Sequence, residues 1–162
     1  TEHPFSTAAP DSEYADGREQ LRIELGDKRA AEAETALPDH RLGWLPENMA
    51  LTEELDRENT VCRVYEETDQ TGNYPANGMR IRFSYGRYTN FSALAEQAEY
   101  EEMQVNGDPG YLVWYVFDGA AQRDEMTLLW YDETAEMAFT LTCSWYGRDV
   151  EQTLFEIAEK VS

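Results

Sequence analysis

Alternation of apolar and polar side chains is clearest over residues 79–86, and it predicts a half-buried β-strand. The eight positions, in order, are Met79, Arg80, Ile81, Arg82, Phe83, Ser84, Tyr85 and Gly86. A period of two places every second side chain on the same face of a sheet, so the apolar set is expected to face a core. Another strand is predicted at Val61–Glu67, and the segment between the two, residues 69–78, is rich in turn-forming residues.

A β-hairpin is predicted near the carboxyl end of the chain, with its turn at Asp132–Ala135. In this register the apolar pairs are Trp130 with Met137, Leu128 with Phe139 and Met126 with Leu141. A shift of one residue would mix the two faces, so the pattern favours all six side chains on one face. The other face is mixed and carries Thr127, Leu129, Tyr131, Thr140 and Thr142.

The chain ends in a predicted amphipathic helix over residues 150–161. Asp149 is a suitable N-cap, with Gln152 three residues later. The apolar stripe consists of Val150, Leu154, Ile157, Ala158 and Val161. We expect this stripe to pack on the apolar face of the hairpin. The predicted fold class is therefore α+β: an antiparallel sheet of about five to seven strands with a C-terminal helix packed on one face.

The first 42 residues differ in composition from the rest of the chain, because prolines and glycines interrupt a stretch rich in charged residues and alanine. Residues 1–42 are predicted to be an acidic linker or N-terminal extension that is partly ordered, and residues 43–162 to form a single α+β domain. Within the extension, Leu21, Ile23 and Leu25 alternate with charged residues, as in a short strand. Lys28–Ala36 has the composition of a short helix.

Both faces of the predicted strand Tyr111–Phe117 are apolar, which is unexpected in an antiparallel sheet with one face in water. One explanation is that the strand is central and that the N-terminal segment covers its second face. The alternative is an exposed strip that binds a partner or a lipophilic ligand. The ligand or partner face would then consist of Trp114, Leu112, Leu129 and Tyr131. Its mixture of rings and hydroxyls suits a partner protein or an amphipathic ligand.

The charge of the chain narrows the range of partners. Of 162 residues, 13 are Lys or Arg and 33 are Asp or Glu, which gives a formal net charge of −20. This excess of acids argues against binding to nucleic acids and to anionic membrane surfaces. Aromatic residues make up 12% of the chain, which favours a folded protein because acidic disordered chains contain few of them. No apolar run reaches the ~18 residues that a membrane helix needs.

No motif of catalysis or metal binding stands out. The two histidines, His3 and His40, lie near neither a nucleophile motif nor a zinc-type cysteine pair. We therefore expect no catalytic residues, no metal, no cofactor and a non-enzymatic role. A carboxylate-dependent hydrolase is the enzymatic alternative, because a chain with 33 acids offers many carboxylate pairs. Cys62 and Cys143 are expected to be two free thiols, with a single disulfide between them as the alternative.

Several short motifs follow one another between Gly43 and the carboxyl end. They are Trp44-Leu45-Pro46-Glu47-Asn48-Met49, Val105-Asn106-Gly107, Gly110-Tyr111-Leu112, Leu128-Leu129-Trp130-Tyr131, Phe139-Thr140-Leu141 and the capped helix Val150–Val161. Their order and spacing resemble domain of unknown function family 4367. The resemblance covers about residues 43–162.

This resemblance implies a bacterial, mostly Firmicute, extracytoplasmic domain that follows a membrane anchor outside this chain, sometimes in proteins resembling anti-sigma factors. It also implies a curved antiparallel sheet with helices on one side, and it transfers no catalytic residue. The expected function is that of a non-enzymatic sensor or binding module of a membrane-anchored bacterial protein, with a regulatory, anti-sigma-like role. The alternative is a carrier of a lipophilic ligand on the open sheet face.

Overall fold

The computed structural model of the chain describes residues 5–11, 18–33, 36–57 and 59–162. Strands dominate these residues. They are β1 (Phe5–Asp11), β2 (Gln20–Gly26), β3 (Met49–Arg57), β4 (Thr60–Glu67), β5 (Arg80–Gly86), β6 (Tyr88–Leu94), β7 (Ala98–Val105), β8 (Asp108–Phe117), β9 (Ala120–Asp132) and β10 (Met137–Ser144). The helices are α1 (Lys28–Glu32), α2 (Glu151–Ala158) and a short 3₁₀ turn at Ala95–Gln97.

The strands form two antiparallel sheets. The main sheet has seven strands in the order β3-β4-β5-β10-β9-β8-β7, and the small sheet has three in the order β1-β2-β6. The expectation of an α+β fold, with an antiparallel sheet and a C-terminal helix, is confirmed. The central pairing of β5 with β10 joins strands that lie far apart in sequence.

The C-terminal helix α2 covers one face of the main sheet, as its apolar stripe predicts. Leu154 and Ile157 are fully buried, in one cluster with Leu128, Trp130 and Leu141 of the sheet. Helix α2 begins after Asp149, whose side chain accepts a hydrogen bond from the Glu151 amide at 3.0 Å. It ends at Ala158, earlier than the predicted residue 161, and Val161 pairs instead with Leu42 in an isolated β-bridge.

The small sheet covers part of the opposite face of the main sheet. Ile23 and Leu25 of β2 are fully buried against Tyr111, Val113 and other residues of the main sheet. The prediction that the N-terminal segment covers the second face of the strand at 111–117 is therefore confirmed. The predicted boundary at residue 43 does not coincide with a boundary of the packed core, because β2 lies before it.

Residues 38–41 are also fixed to the main sheet. Arg63 is 3% exposed and donates to Glu54 at 2.8 Å, to Asp39 at 3.2 Å and to the His40 carbonyl at 2.8 Å. The Tyr85 hydroxyl donates to the Pro38 carbonyl at 3.0 Å. A buried arginine requires partners of this kind, and here they come from both sides of residue 43.

The hairpin of β9 and β10 exists, but its predicted register is wrong by two residues. Trp130 pairs with Phe139, and Leu128 pairs with Leu141. The turn spans residues 133–136 because Asp132 accepts hydrogen bonds from the Thr134 and Ala135 amides, at 3.0 Å each. A shift of two residues preserves the side of the sheet on which each side chain lies, so the predicted faces hold.

Residues 91–98 form the end of β6, the 3₁₀ turn and the first residue of β7. Strand β6 pairs with β2 along its whole length, from Tyr88 to Leu94. Helix α1 ends at Glu32, before the predicted residue 36, and residues 34–35 lie outside the described residues.

The cysteines are both free, as predicted. Cys143 pairs with Met126 on the helix-covered face, whereas Cys62 pairs with Ser84 on the opposite face. A disulfide is impossible in this fold because the sheet separates the two sulfurs. Burial raises the pKa of the Cys143 thiol to about 12, so this thiol stays protonated and unreactive at neutral pH.

Candidate functional site

A polar groove lies between the main sheet and strand β6 of the small sheet, on the face opposite α2. Its cavity volume is about 380 Å³. Strands β5, β9 and β10 form its floor, and residues of β6 and β8 form its rim. The lining residues are Arg80, Arg82, Ser84, Thr89, Asn90, Phe91, Tyr115, Glu125, Thr127, Leu129, Thr140, Thr142 and Ser144.

The floor of the groove consists of three cross-strand rows, each running from β5 through β10 to β9. The rows are Arg80–Ser144–Glu125, Arg82–Thr142–Thr127 and Ser84–Thr140–Leu129. Directly opposed residues of neighbouring antiparallel strands point to the same face, which brings these nine side chains together. The arginines consequently lie on one side of the floor and a column of hydroxyls runs along its centre.

Hydrogen bonds fix several of these hydroxyls. Thr127 and Thr142 share a hydrogen bond of 2.9 Å between their hydroxyl oxygens. Ser144 donates to Glu125 at 2.9 Å. A pair of hydroxyls has two hydrogens and uses one of them in the mutual bond, so the threonine pair retains one donor for a ligand. Thr127 is only 9% exposed, which places the threonine pair at the bottom of the groove.

The two arginines of the groove are the principal electrostatic feature of the site. Arg82 donates through Nε to the Cys62 sulfur at 3.3 Å, and sulfur is a weak acceptor. Neither Arg80 nor Arg82 forms a salt bridge with any residue that the structure describes, although acids outnumber bases 33 to 13 in the chain. Both arginine side chains are exposed and can be reached by an anionic ligand, and Glu66 of β4 stands directly opposite Arg80 on the same face.

Two half-buried aromatic residues border the groove, Phe91 from β6 and Tyr115 from β8. Burial, together with the nearby Glu125 carboxylate, raises the pKa of Tyr115. Its phenol accordingly stays protonated at neutral pH and can donate a hydrogen bond. The rim therefore offers ring surface as well as a polar group.

The face predicted from Trp114, Leu112, Leu129 and Tyr131 is wrong, because these residues do not share one face. Leu112 is fully buried on the α2 side, directly opposite Leu128. Leu129 and Tyr131 are buried on the other side, in one cluster with Ile23. The relative phase of β8 and β9 decides this, and the bulge between Trp114 and Tyr115 obscures that phase in the sequence.

Trp114 lies at a different place from the groove. Its indole Nε1 donates to Glu99 at 3.2 Å, and the Arg123 guanidinium lies 5.5 Å from the centroid of the ring system. It borders a second cavity of about 330 Å³ together with Leu21, Ala95, Ala98, Glu99 and Tyr100. Of the four predicted residues, only Leu129 lines the groove, beside the threonine row that the sequence places on its face.

Arg80 and Arg82 were not predicted as site residues from the sequence. The signal was present in the alternation over residues 79–86, which puts both arginines on the face away from the apolar set. The pairing of β5 with β10 was not predicted, and it is this pairing that brings the arginines beside the threonine row.

No protein-family model, curated protein sequence or solved structure matches the chain. The resemblance to family 4367 therefore stays a proposal. Among the described residues, no three His, Cys, Asp or Glu side chains are grouped so that they could hold a metal ion. Within the same part of the chain, no helix has the length and apolar character needed to cross a membrane.

Proposed function

We propose that the chain is a non-catalytic binding module that takes a polar, anionic ligand into the groove between the two sheets. One observation carries this proposal: Arg80 and Arg82 have no salt-bridge partner among the described residues and face a row of hydroxyls. Concave sites with a few convergent polar groups are the usual places of small-molecule binding.

The biological setting of this module rests on the resemblance to family 4367. It implies an extracytoplasmic domain of a membrane-anchored bacterial protein, with an anti-sigma-like regulatory role, and we propose a protein partner or an amphipathic ligand for it. The test is whether a membrane-spanning segment or a lipoprotein cysteine is encoded upstream of Thr1 in the parent gene.

A curved main sheet belongs to the same proposal. The register shifts at Leu51/Glu53 and Trp114/Tyr115 favour curvature, because bulges bend strands.

The alternative functions have less support from the geometry. The apolar strip expected to carry a lipophilic ligand is covered by β2, since Leu129 and Tyr131 pack with Ile23. A carboxylate-dependent hydrolase needs two acids that face each other across its substrate. Among the residues that line the groove, Glu125 is the one carboxylate.

Filling the groove should abolish ligand binding without unfolding the protein. Ser84 is half-buried on the floor, so Ser84→Phe places a ring in the cavity. Ser92→Phe is the matched control, because Ser92 is exposed on β6 and does not line the groove. We expect saturation-transfer NMR against a library of small polar solutes to find anionic binders of the wild type. Ser84→Phe should lose them and Ser92→Phe should retain them.

Two results would contradict the proposal. Binders that Ser84→Phe retains with unchanged affinity would occupy another site. A library of anions and polyols that yields no binder for the folded wild type would leave the groove without a function. Thermal melting of both variants establishes that any loss of binding does not come from unfolding.

A further inference from the structure

We infer that the ligand of the groove is an acidic saccharide of the hexuronate type. Its carboxylate would bind to Arg80 and Arg82, and its ring hydroxyls would bind to the threonine row. This inference rests on the proposed function and narrows it to one ligand class. Four properties of the groove lead to it: the spacing of the arginines, the width of the polar floor, its hydroxyl lining and the aromatic rim.

The arginines are arranged for a carboxylate. Arg80 and Arg82 stand two residues apart on one strand, which separates their Cα atoms by roughly 7 Å. Both side chains are long enough to converge on one anionic group, and the planar guanidinium matches the two oxygens of a carboxylate. The net charge of −20 does not prevent this, because salt screens exposed acids beyond roughly 8 Å at physiological ionic strength.

The floor is too wide for a small isolated anion. Two strand spacings, roughly 10 Å, separate the arginine side on β5 from Thr127 and Glu125 on β9. A phosphate or sulfate bound to the arginines would leave the hydroxyls of β9 and β10 without a ligand partner. A longer ligand with hydroxyls along its length would use them.

The hydroxyl lining is chemically matched to a sugar. Six lining residues carry an aliphatic hydroxyl, namely Ser84, Thr89, Thr127, Thr140, Thr142 and Ser144. Hydroxyls both donate and accept, as sugar hydroxyls do, whereas an ionised carboxylate only accepts. Glu125 adds an acceptor at the far end, and Asn90 adds an amide on the rim.

The rim supplies the apolar contact that a sugar ring requires. A hexuronate ring is polar at its edge but presents C–H groups on its faces. Phe91 and Tyr115 offer half-buried ring surfaces beside the hydroxyl floor. An aromatic ring supplies contact area at small entropic cost, and the Tyr115 hydroxyl can bond a neighbouring polar group. The cavity volume of about 380 Å³ lies in the range typical of small-molecule sites.

The test is calorimetric titration of the whole chain with digalacturonate. Its methyl ester is the matched ligand, because the ester keeps the sugar and removes the charge. Citrate and phosphate at equal ionic strength are the anion controls. We expect digalacturonate to bind and the ester to bind about tenfold more weakly or worse, since a hydrogen bond to a charged group contributes that much. Citrate and phosphate should also bind more weakly.

Two variants assign this binding to the groove. Arg82→Gln should weaken digalacturonate binding about tenfold or more but leave binding of the ester unchanged. Arg57→Gln is the matched control, because it makes the same change in net charge at an exposed residue of the edge strand β3. It should leave both affinities unchanged. Thr142→Val, which removes a floor hydroxyl without changing its shape, should weaken both ligands.

The remaining outcomes separate this inference from the proposed function. Citrate or phosphate binding as tightly as digalacturonate, with loss in Arg82→Gln, would overturn the saccharide and leave a plain anion site. Absence of digalacturonate binding, while other anions still bind in the groove, would also overturn the saccharide alone. If no anion binds to the groove, both the inference and the proposed function fail.

Discussion

A chain that ends at Gly147 is expected to be insoluble and to show no cooperative melting transition. The cut removes α2, which buries Val150, Leu154 and Ile157 completely against the main sheet. A fully buried aliphatic side chain contributes about 1.5–3 kcal/mol, so these three contribute about 5–9 kcal/mol. That sum is comparable to the whole stability of a domain, about 5–15 kcal/mol. The cut would also expose Leu128, Trp130 and their neighbours to solvent.

The end of α2 and the residues after it are joined to the rest of the molecule by further hydrogen bonds that the truncation would remove. The side-chain amide of Asn106 donates to the Ala158 carbonyl at 2.9 Å, which joins the β7–β8 hairpin to the helix. The Gly43 amide donates to the Lys160 carbonyl at 2.8 Å. Both acceptors are missing from a chain that ends at Gly147. Measurement of soluble yield and of the thermal transition by circular dichroism tests the expectation.

A point substitution tests the same interface where the truncated chain cannot be purified. Leu154→Ala is expected to cost about 2–5 kcal/mol. For a chain of this length, each kcal/mol lowers Tm by about 2–4 °C. Gln152→Ala on the exposed side of the same helix is the control and should change Tm little. A soluble, cooperatively melting truncation, or a Leu154→Ala variant as stable as the control, would show that α2 is not part of the core.

Local patterns predicted the parts of the fold that depend on one element or one turn. The period of two identified β5, and the apolar stripe of α2 identified both the helix and the surface it covers. The hairpin of β9 and β10 was placed on the correct faces even with its register two residues in error. The error arose at the turn. Asp132 was predicted to be the first residue of the turn, whereas in the structure it is the last residue of β9 and caps the turn that follows.

The candidate site depends on relationships that a single sequence does not contain. Arg82 lies beside Thr142 because β5 and β10 are neighbours, although sixty positions separate the two residues. Leu112 and Leu129 were assigned to one face because nothing in the sequence fixes the phase of β8 relative to β9. The sequence shows which residues are apolar, charged or hydroxylated, but the strand order determines which of their side chains lie next to one another.

Loss of β2 is the second large effect, because β2 is the cover of the second sheet face. Leu21 is 4% exposed, and Ile23 and Leu25 are fully buried. Deletion of residues 1–41 should therefore lower stability markedly and raise the binding of an apolar dye. The deletion would also remove the Pro38, Asp39 and His40 contacts of Tyr85 and buried Arg63, so it tests more than β2.

Ile23→Ala isolates the contribution of β2, since it leaves residues 38–41 and their bonds to Arg63 in place. We expect it to cost about 2–5 kcal/mol, because the cavity opens against Tyr111 and Leu129 in a close-packed cluster. Leu51→Ala on β3 is the matched control, because it is a comparable truncation at a residue that is 46% exposed. It should change the free energy of unfolding by less than about 0.5 kcal/mol. Urea denaturation measures both values. A deletion of residues 1–41 that melts like the wild type with unchanged dye binding would mean that the second face is stable without β2. Equal costs for the two point variants would mean the same.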